Sequence, residues 1–324
     1  MKIELKHELK DNFLGVQTTS DLNKVIYLNQ YPTLVRLEEA YADKRIVELA
    51  STIAKSGKRI ILIAGPSSSG KTTFTKKLCV HLAVNHLQPL YLCTDDYFVN
   101  REDTPRDENG EYNFEDLDAV DVDLFNKNLK GLLNGDEVDL PVFDFKEGRK
   151  VFGTRVTKME EGQPIVIEGI HALNDALTPL FKNSEKFKIY ICPTPSIKTD
   201  TSVGLEPDDF RILRRISRDA ATRGHSAEAT IKAWGKVRAG EVKNIIPYAE
   251  SADYYFNSSL IYEICVLKKH VWPLLQDISP KSVEFETAWR LMEFLRGFES
   301  YDDDSIVPSD SVLKEFIGGS LYVD

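Results

Sequence analysis

From Thr33 to Lys55, apolar residues recur at steps of three and four: Leu34, Leu37, Ala40, Tyr41, Ile46, Val47, Leu49, Ala50 and Ile53. That spacing predicts an amphipathic helix, which Gly57 ends. The period then changes. Arg59–Ala64, RIILIA, is continuously apolar and β-branched, the pattern of a strand buried on both faces of a parallel sheet. Pro89–Thr94, Pro164–Glu168 and Phe187–Cys192 repeat this pattern, and Tyr254–Phe256 and Leu260–Leu267 are also expected to be strand. Helical spacing marks Lys71–His86, Val122–Leu133, Asp209–Thr222, Ala227–Val242 and Ser282–Phe298. Val138–Lys146 and Lys150–Thr157 predict a hairpin that turns at residues 147–149. Residues 101–118 and 194–208 are polar loops, and residues 1–33 show no clear period.

Strands alternating with helices predict a three-layer α/β fold around a mostly parallel sheet. Ligands on such sheets sit at the carboxyl ends of the strands, here near Gly65, Asp95, Asp96 and Glu168. The expected organisation is a helical N-terminal extension over 1–56 and an α/β domain with C-terminal helices over 57–324.

Composition narrows the partners. Of 324 residues, 42% are hydrophobic and 28% charged, with a net charge of −10. An acidic chain is a poor binder of nucleic acid or anionic membrane, so a small-molecule ligand is expected. Oligomeric state stays open, a homo-oligomer included. Cys79, Cys93, Cys192 and Cys265 lie far apart in apolar stretches, which predicts buried free thiols and a reducing compartment. The start, MKIELKHELKDNF, lacks the apolar core of a secretory leader. No apolar run approaches the roughly 20 residues that span a bilayer. A cytoplasmic protein is expected.

Gly65-Pro66-Ser67-Ser68-Ser69-Gly70-Lys71-Thr72 fits G-x-x-x-x-G-K-[ST], with a buried strand before it and a helix after it. In this arrangement the backbone N–H groups and the helix N-terminus cradle phosphates. Lys71 is expected to reach the β- and γ-phosphates of ATP, and the Thr72 hydroxyl to ligate Mg²⁺. No NKxD-type guanine motif is present, which disfavours a GTPase. Phosphoryl transfer to a hydroxyl also needs a carboxylate near the attacking proton and others near the metal. Asp95, Asp96 and Glu168 are placed for this. Strand alternation would turn Asp95 and Asp96 to different sides.

Arg211, Arg214, Arg215, Arg218 and Arg223 form a nearly single-signed run in an acidic chain. The first four share a helix face. Guanidinium groups match phosphate oxygens bidentately, so the run is expected to be a phosphate-binding lid hinged at Arg223-Gly224.

Together these segments resemble the uridine kinase and phosphoribulokinase group of P-loop kinases. The resemblance is carried by LIAGPSSSGKTTFTKKL, TDDYFVNREDTPRDENGEYNFEDLDA, LPVFDF, IVIEGIHALN, RRISRDAATRGHSAE and EFIGGS. Residues from about Leu14 to Ala54 resemble the linker that precedes the kinase in longer members. The resemblance implies ATP and Mg²⁺ as cofactors and a nucleoside 5′-hydroxyl, of uridine or cytidine, as acceptor. It implies Asp95 as catalytic base, assisted by Lys71, Arg218 and Arg223. Residues 65–72 with Thr73 and Arg215 would hold the nucleotide. Thr72, Glu168 and Asp95 would surround the metal. Asp96, Tyr97, Glu115, Phe143, Phe145 and His225 would bind the acceptor. Pyrimidine-specific members carry a His where this chain has Glu147-Gly148-Arg149, an Arg where it has His225, and a Gln where it has Ala233 or Trp234. A polyol or sugar-phosphate kinase, or a regulatory nucleotide binder without catalysis, are the alternatives.

Overall fold

The structure is a computed structural model that describes residues 13–108, 110–198 and 208–322. The leader-like test on the first residues and most of the 194–208 loop therefore lie outside the described residues. In chain order the helices are α1 (Thr19–Tyr27), α2 (Tyr31–Ser56), α3 (Lys71–Val84), α4 (Val122–Asn134), α5 (Asp209–Thr222), α6 (Ala227–Asn244), α7 (Ile246–Ala249), α8 (Glu263–Gln276), α9 (Phe285–Arg296) and α10 (Lys314–Ile317). The strands are β1 (Ile60–Ala64), β2 (Leu90–Cys93), β3 (Val138–Asp139), β4 (Val142–Asp144), β5 (Arg149–Val151), β6 (Val156–Thr157), β7 (Ile165–Glu168), β8 (Lys186–Cys192) and β9 (Tyr254–Asn257).

Five strands form one parallel sheet in the order β2-β7-β1-β8-β9. The chain leaves β1, crosses to β2, returns to β7 between them, and then builds β8 and β9 on the far side. Strand order reverses around β1, so a crevice opens at its carboxyl end. Alternation along β1 divides the layers. Ile61 and Ile63 pack with Ile46, Leu49 and Ile53 of α2 and Phe74 and Leu78 of α3. Ile60, Leu62 and Ala64 pack with Phe125 and Leu129 of α4. The expected hairpin is present as two short ladders, β4 with β5 and β3 with β6.

Four readings differ from expectation. Leu260–Leu267 was expected to be strand, but its second half opens helix α8. All residues from Leu260 to Val266 are buried, so burial on every side erases the 3.6-residue period by which a helix is recognised. Asp95 and Asp96 do not end a strand: β2 stops at Cys93, and Thr94–Tyr97 is a 3₁₀ turn, so strand alternation does not govern them. The residues without a clear period include α1, whose N-terminus is fixed by a capping box between Thr18 and Asp21. Of the thiols, all unpaired, only Cys265 is fully buried.

A separate apolar cluster joins Leu22 and Val25 of α1 and Tyr31, Leu34 and Val35 of α2 to α5, α8 and α9. Tyr31 is its hinge-pin: the ring stacks on Tyr301 at 4.3 Å and the hydroxyl donates to the carbonyl of Tyr262 at 2.6 Å. Tyr31→Phe should therefore cost about 1–3 kcal/mol by stranding a buried carbonyl. Tyr31→Ala should cost about 3–5 kcal/mol by opening a cavity. Urea unfolding of both variants measures the two terms; a Tyr31→Phe variant as stable as wild type would mean that the hydrogen bond contributes nothing, and equal losses in the two variants that burial of the ring contributes nothing.

Candidate active site

The phosphate loop is shaped by what a side chain would hit. A Cβ at Gly65 would lie 2.1 Å from the carbonyl oxygen of Ile191, and one at Gly70 would lie 2.2 Å from Val312. Gly70 also has φ 83°, the left-handed conformation glycine adopts freely. Lys71 Nζ folds back onto the carbonyls of Gly65 (2.9 Å) and Pro66 (3.2 Å). The hydroxyls of Ser68 and Ser69 are buried with no hydrogen-bond partner. The backbone N–H of Ser67 donates to Glu241 at 2.9 Å. Thr73 gives both its N–H (3.3 Å) and its hydroxyl (2.9 Å) to Glu315, which follows Val312 in the C-terminal segment.

Beside the loop, Thr72 Oγ1 donates to Glu168 Oε1 at 3.0 Å, and the Tyr91 hydroxyl donates to Glu168 Oε2 at 2.9 Å. Burial pushes the Glu168 carboxyl up to about 7, against the pull of Lys71 and of the Tyr91 hydrogen bond. Asp95 is also pushed up, by burial first, with Lys71 and Arg223 opposing. Gly169 sits against this turn: a Cβ there would lie 1.8 Å from Thr94 Oγ1. Among the described residues no group of three or more His, Cys, Asp or Glu side chains is arranged to hold a metal ion. Thr72 and Glu168 fit Mg²⁺ all the same, because that ion commonly takes one or two carboxylates and completes its shell with phosphate oxygens and water.

The 3₁₀ turn sends the two aspartates to different neighbours. Asp95 faces Lys71 and Arg223 electrostatically, whereas Asp96 pairs with Arg155 at 3.0 Å and accepts the N–H of Phe143 at 3.4 Å. Phe143 and Phe145 belong to an aromatic cluster with Phe98 and Phe114, with ring centroids 5.1 to 6.4 Å apart. Phe143 is buried and Phe145 is 61% exposed. Glu115 follows Phe114, and burial and the nearby Glu241 carboxylate raise its pKa, with Lys71 and Arg215 opposing. Two residues expected at the acceptor are elsewhere. Tyr97 is fully buried in the core, edge-on to Phe125 at 5.0 Å, where Asn128 donates to its hydroxyl. His225 is exposed, and its backbone N–H bonds the Asp219 carbonyl. No described side-chain contact joins it to the aromatic cluster.

The arginine run divides. Arg211 and Arg214 were expected on a phosphate-facing lid surface, but both are core residues. Arg211 pairs with Glu241 (2.6 Å) and Asp208 (2.6 Å), and Arg214 pairs with Glu263 (2.6 Å). They reach the phosphate loop only through its carbonyls, Arg211 to Ser67 and Arg214 to Ser68. Arg215 donates to Ser67 Oγ at 2.7 Å. Arg215, Arg218 and Arg223 all converge on the buried Asp219 at 3.0 to 3.6 Å. Burial lowers the pKa of Arg215 and Arg223, and the neighbouring Arg218 lowers both further. One buried acid thus gathers three cations at the rim of the loop. Sequence reasoning missed Tyr91, Phe98, Phe114, Glu241 and Glu315. Only the aromatics carried a local signal, their clustering between the second strand and the hairpin.

A parallel sheet with a phosphate loop on its central strand, the buried carboxylate of Glu168 at the end of the neighbouring strand, Asp95 on the turn after β2 and clustered arginines defines a P-loop phosphotransferase. Residues 60–261 match the model of the Phosphoribulokinase / Uridine kinase family, and the chain belongs to that family. A uridine kinase of Ligilactobacillus salivarius is 34% identical over 172 residues, covering 53% of this chain and 71% of that protein. Inorganic pyrophosphatase TTM2 of Arabidopsis thaliana is 29% identical over 188 residues, 57% of this chain and 24% of that protein. The solved structure of a possible uridine kinase from Bacillus stearothermophilus is 27% identical, with a TM-score of 0.39, covering 46% of this chain and 81% of that one. Among the described residues no helix is long and apolar enough to cross a membrane.

The division of the arginines has a measurable consequence. Arg214→Ala removes the guanidinium that neutralises the buried Glu263 carboxylate and should cost about 3–5 kcal/mol. Arg218→Ala leaves Asp219 paired with Arg215 and Arg223 and should cost clearly less than that. Chemical denaturation separates them; comparable losses would place Arg218 in the structural set as well.

Proposed function

We propose that the protein transfers the γ-phosphoryl group of ATP to a small-molecule hydroxyl, and that the acceptor is the 5′-hydroxyl of a ribonucleoside, uridine or cytidine. The observation that carries this is the position of Asp95. It is a carboxylate desolvated by burial, set between the phosphate-loop Lys71 and Arg223, on the turn that also leads into the Phe98 ring.

In this reading Lys71 leaves the carbonyls of Gly65 and Pro66 for the β- and γ-phosphates, where an ammonium neutralises developing charge. The unpartnered hydroxyls of Ser68 and Ser69 suit the oxygens of a bound triphosphate. Thr72 and Glu168 would hold Mg²⁺, which would supply charge neutralisation to the bound triphosphate. Asp95 accepts the proton of the attacking hydroxyl; burial raises its pKa, which strengthens it as a base. Arg218 and Arg223 meet the transferred phosphoryl group, and Arg215, already on the loop at Ser67, meets the nucleotide. Glu115 accepts from the ribose hydroxyls, and the aromatic cluster provides a flat, apolar wall for the base. The second reading, a polyol or sugar-phosphate acceptor, is favoured by the exposed position of His225, which leaves the wall without that base-reading side chain.

Asp95→Asn should lower kcat by about 10²–10⁴-fold with little change in ATP affinity, because a base acts mainly in the transition state. Asp96→Asn should keep most of its activity and lose stability instead, since Asp96 is tied to Arg155 and Phe143. Steady-state assays with calorimetric ATP binding test both, using each common nucleoside and ribulose 5-phosphate as acceptors. Turnover of the sugar phosphate alone would replace the nucleoside reading. An active Asp95→Asn beside a dead Asp96→Asn would move the base by one residue.

A further inference from the structure

Helix α6 lies between the two halves of the site and presents a different stripe to each. Trp234, Arg238 and Glu241 follow one another at steps of four and three, so they share a face. That face meets Arg211 and the phosphate loop. The Arg211 guanidinium lies 5.1 Å from the Trp234 ring centroid. Glu241 is fully buried. Its Oε1 accepts from Arg211 at 2.6 Å and from the Ser67 backbone N–H at 2.9 Å, and its Oε2 accepts from Arg211 at 2.9 Å and Arg238 at 2.6 Å. Arg211 also donates to the Ser67 carbonyl at 3.2 Å. Both backbone polar groups of Ser67 are thereby fixed by one ion pair.

The opposite stripe, Lys236, Gly240, Lys243 and Asn244, holds the acceptor loop. Lys236 pairs with Asp107 (2.7 Å) and Glu111 (2.9 Å), Lys243 pairs with Asp116 (3.0 Å), and Asn244 donates to the Glu115 carbonyl. Gly240 lets Glu115 approach: a Cβ there would lie 2.8 Å from Glu115 Cβ and 3.0 Å from its Cγ. Gly240 and Glu241 are adjacent in the chain, so one peptide unit separates the group that sets Glu115 from the group that sets Ser67.

We propose that α6 is the spacer that registers the phosphate loop against the acceptor loop, with Glu241 the positioning residue for Ser67 and Gly240 the residue that seats Glu115. The acceptor half rests on the kinase reading given above; the phosphate-loop half needs only that the loop binds a nucleotide. The arrangement explains why a carboxylate is kept beside a triphosphate site at all. As a mere counter-ion it would oppose the ligand. As a strut it holds the loop open in its binding shape, with Arg211 and Arg238 cancelling its charge.

The sign of the effect separates these two roles. Calorimetry with a non-hydrolysable ATP analogue should show Glu241→Gln binding at least about tenfold more weakly than wild type, with kcat reduced in parallel. Unchanged or tighter binding, the result of removing a repelling charge, overturns the positioning role. Arg238→Gln, at the half-exposed end of the network, should weaken binding in the same direction by about threefold and serves if Glu241→Gln does not fold. No loss in Arg238→Gln counts against the proposal. Gly240→Ala, a favourable change for a helix, should raise the acceptor KM about tenfold while leaving analogue affinity within about twofold. Equal effects on both ligands, or none, overturn the acceptor half. If wild type turns over a non-nucleoside acceptor, that acceptor is used for the Gly240 measurement and only the nucleoside reading falls. If it phosphorylates no acceptor, the kinase reading and the acceptor half fail together, and the Glu241 measurement alone decides the phosphate-loop half.

Discussion

Seven carboxylates converge on a loop whose task is to attract anions. Asp95, Glu115, Glu168, Asp219, Glu241, Glu263 and Glu315 all lie on or next to the shell around residues 65–73, in a chain of net charge −10. Desolvated charge must be paired or neutralised, and the structure does both. Glu241 and Glu263 are locked to Arg211 and Arg214, and Asp219 gathers three arginines. Asp95, Glu115 and Glu168 lack so strong a partner, and burial raises their pKa values instead. The acids that are tied down build the scaffold. The three left under electrostatic stress line the cleft, as expected of groups that hold metal, substrate or proton.

This division also explains why arginine is used throughout rather than lysine. Each buried guanidinium serves two masters. Arg211 binds two carboxylates and a loop carbonyl, and Arg214 binds Glu263, Ser258 and Ser68 while stacking over Phe316. Only a planar fork with several fixed donors can bridge so many acceptors at once. The phosphate loop is thereby clamped from behind through the carbonyls of Ser67 and Ser68.

The elements outside the family-matched span, residues 60–261, take part in the same scaffold. Glu38 of α2 accepts the N–H of Ile261, and Glu39 accepts the Tyr262 hydroxyl. In the C-terminal segment, Glu315 caps Thr73, Asp310 pairs with Lys77, and the Phe316 carbonyl accepts from Ser217. The C-terminal segment is therefore tied to helices α3 and α5, and α2 to the turn that opens α8.

Local patterns were enough to place the sheet, the hairpin, the phosphate loop and the acid at the end of β7. Each is written in consecutive residues: a β-branched run, a glycine at a positive φ, a charge after a buried strand. What tertiary structure decided was partnership. Arg211 and Arg214 look like Arg215 and Arg218 in sequence, and only the approach of Glu241, from thirty residues on, and Glu263, from forty-nine, makes the first two structural. The first turns of helix α8 carry no visible period because the fold buries Glu263–Leu267 on all sides. Asp95 and Asp96 are chemically identical neighbours; a 3₁₀ turn and the distant Arg155 assign them different surroundings. Sequence determines which groups are present and which local conformations they favour, but the worth of a charge is set by what folding places within a few ångströms of it.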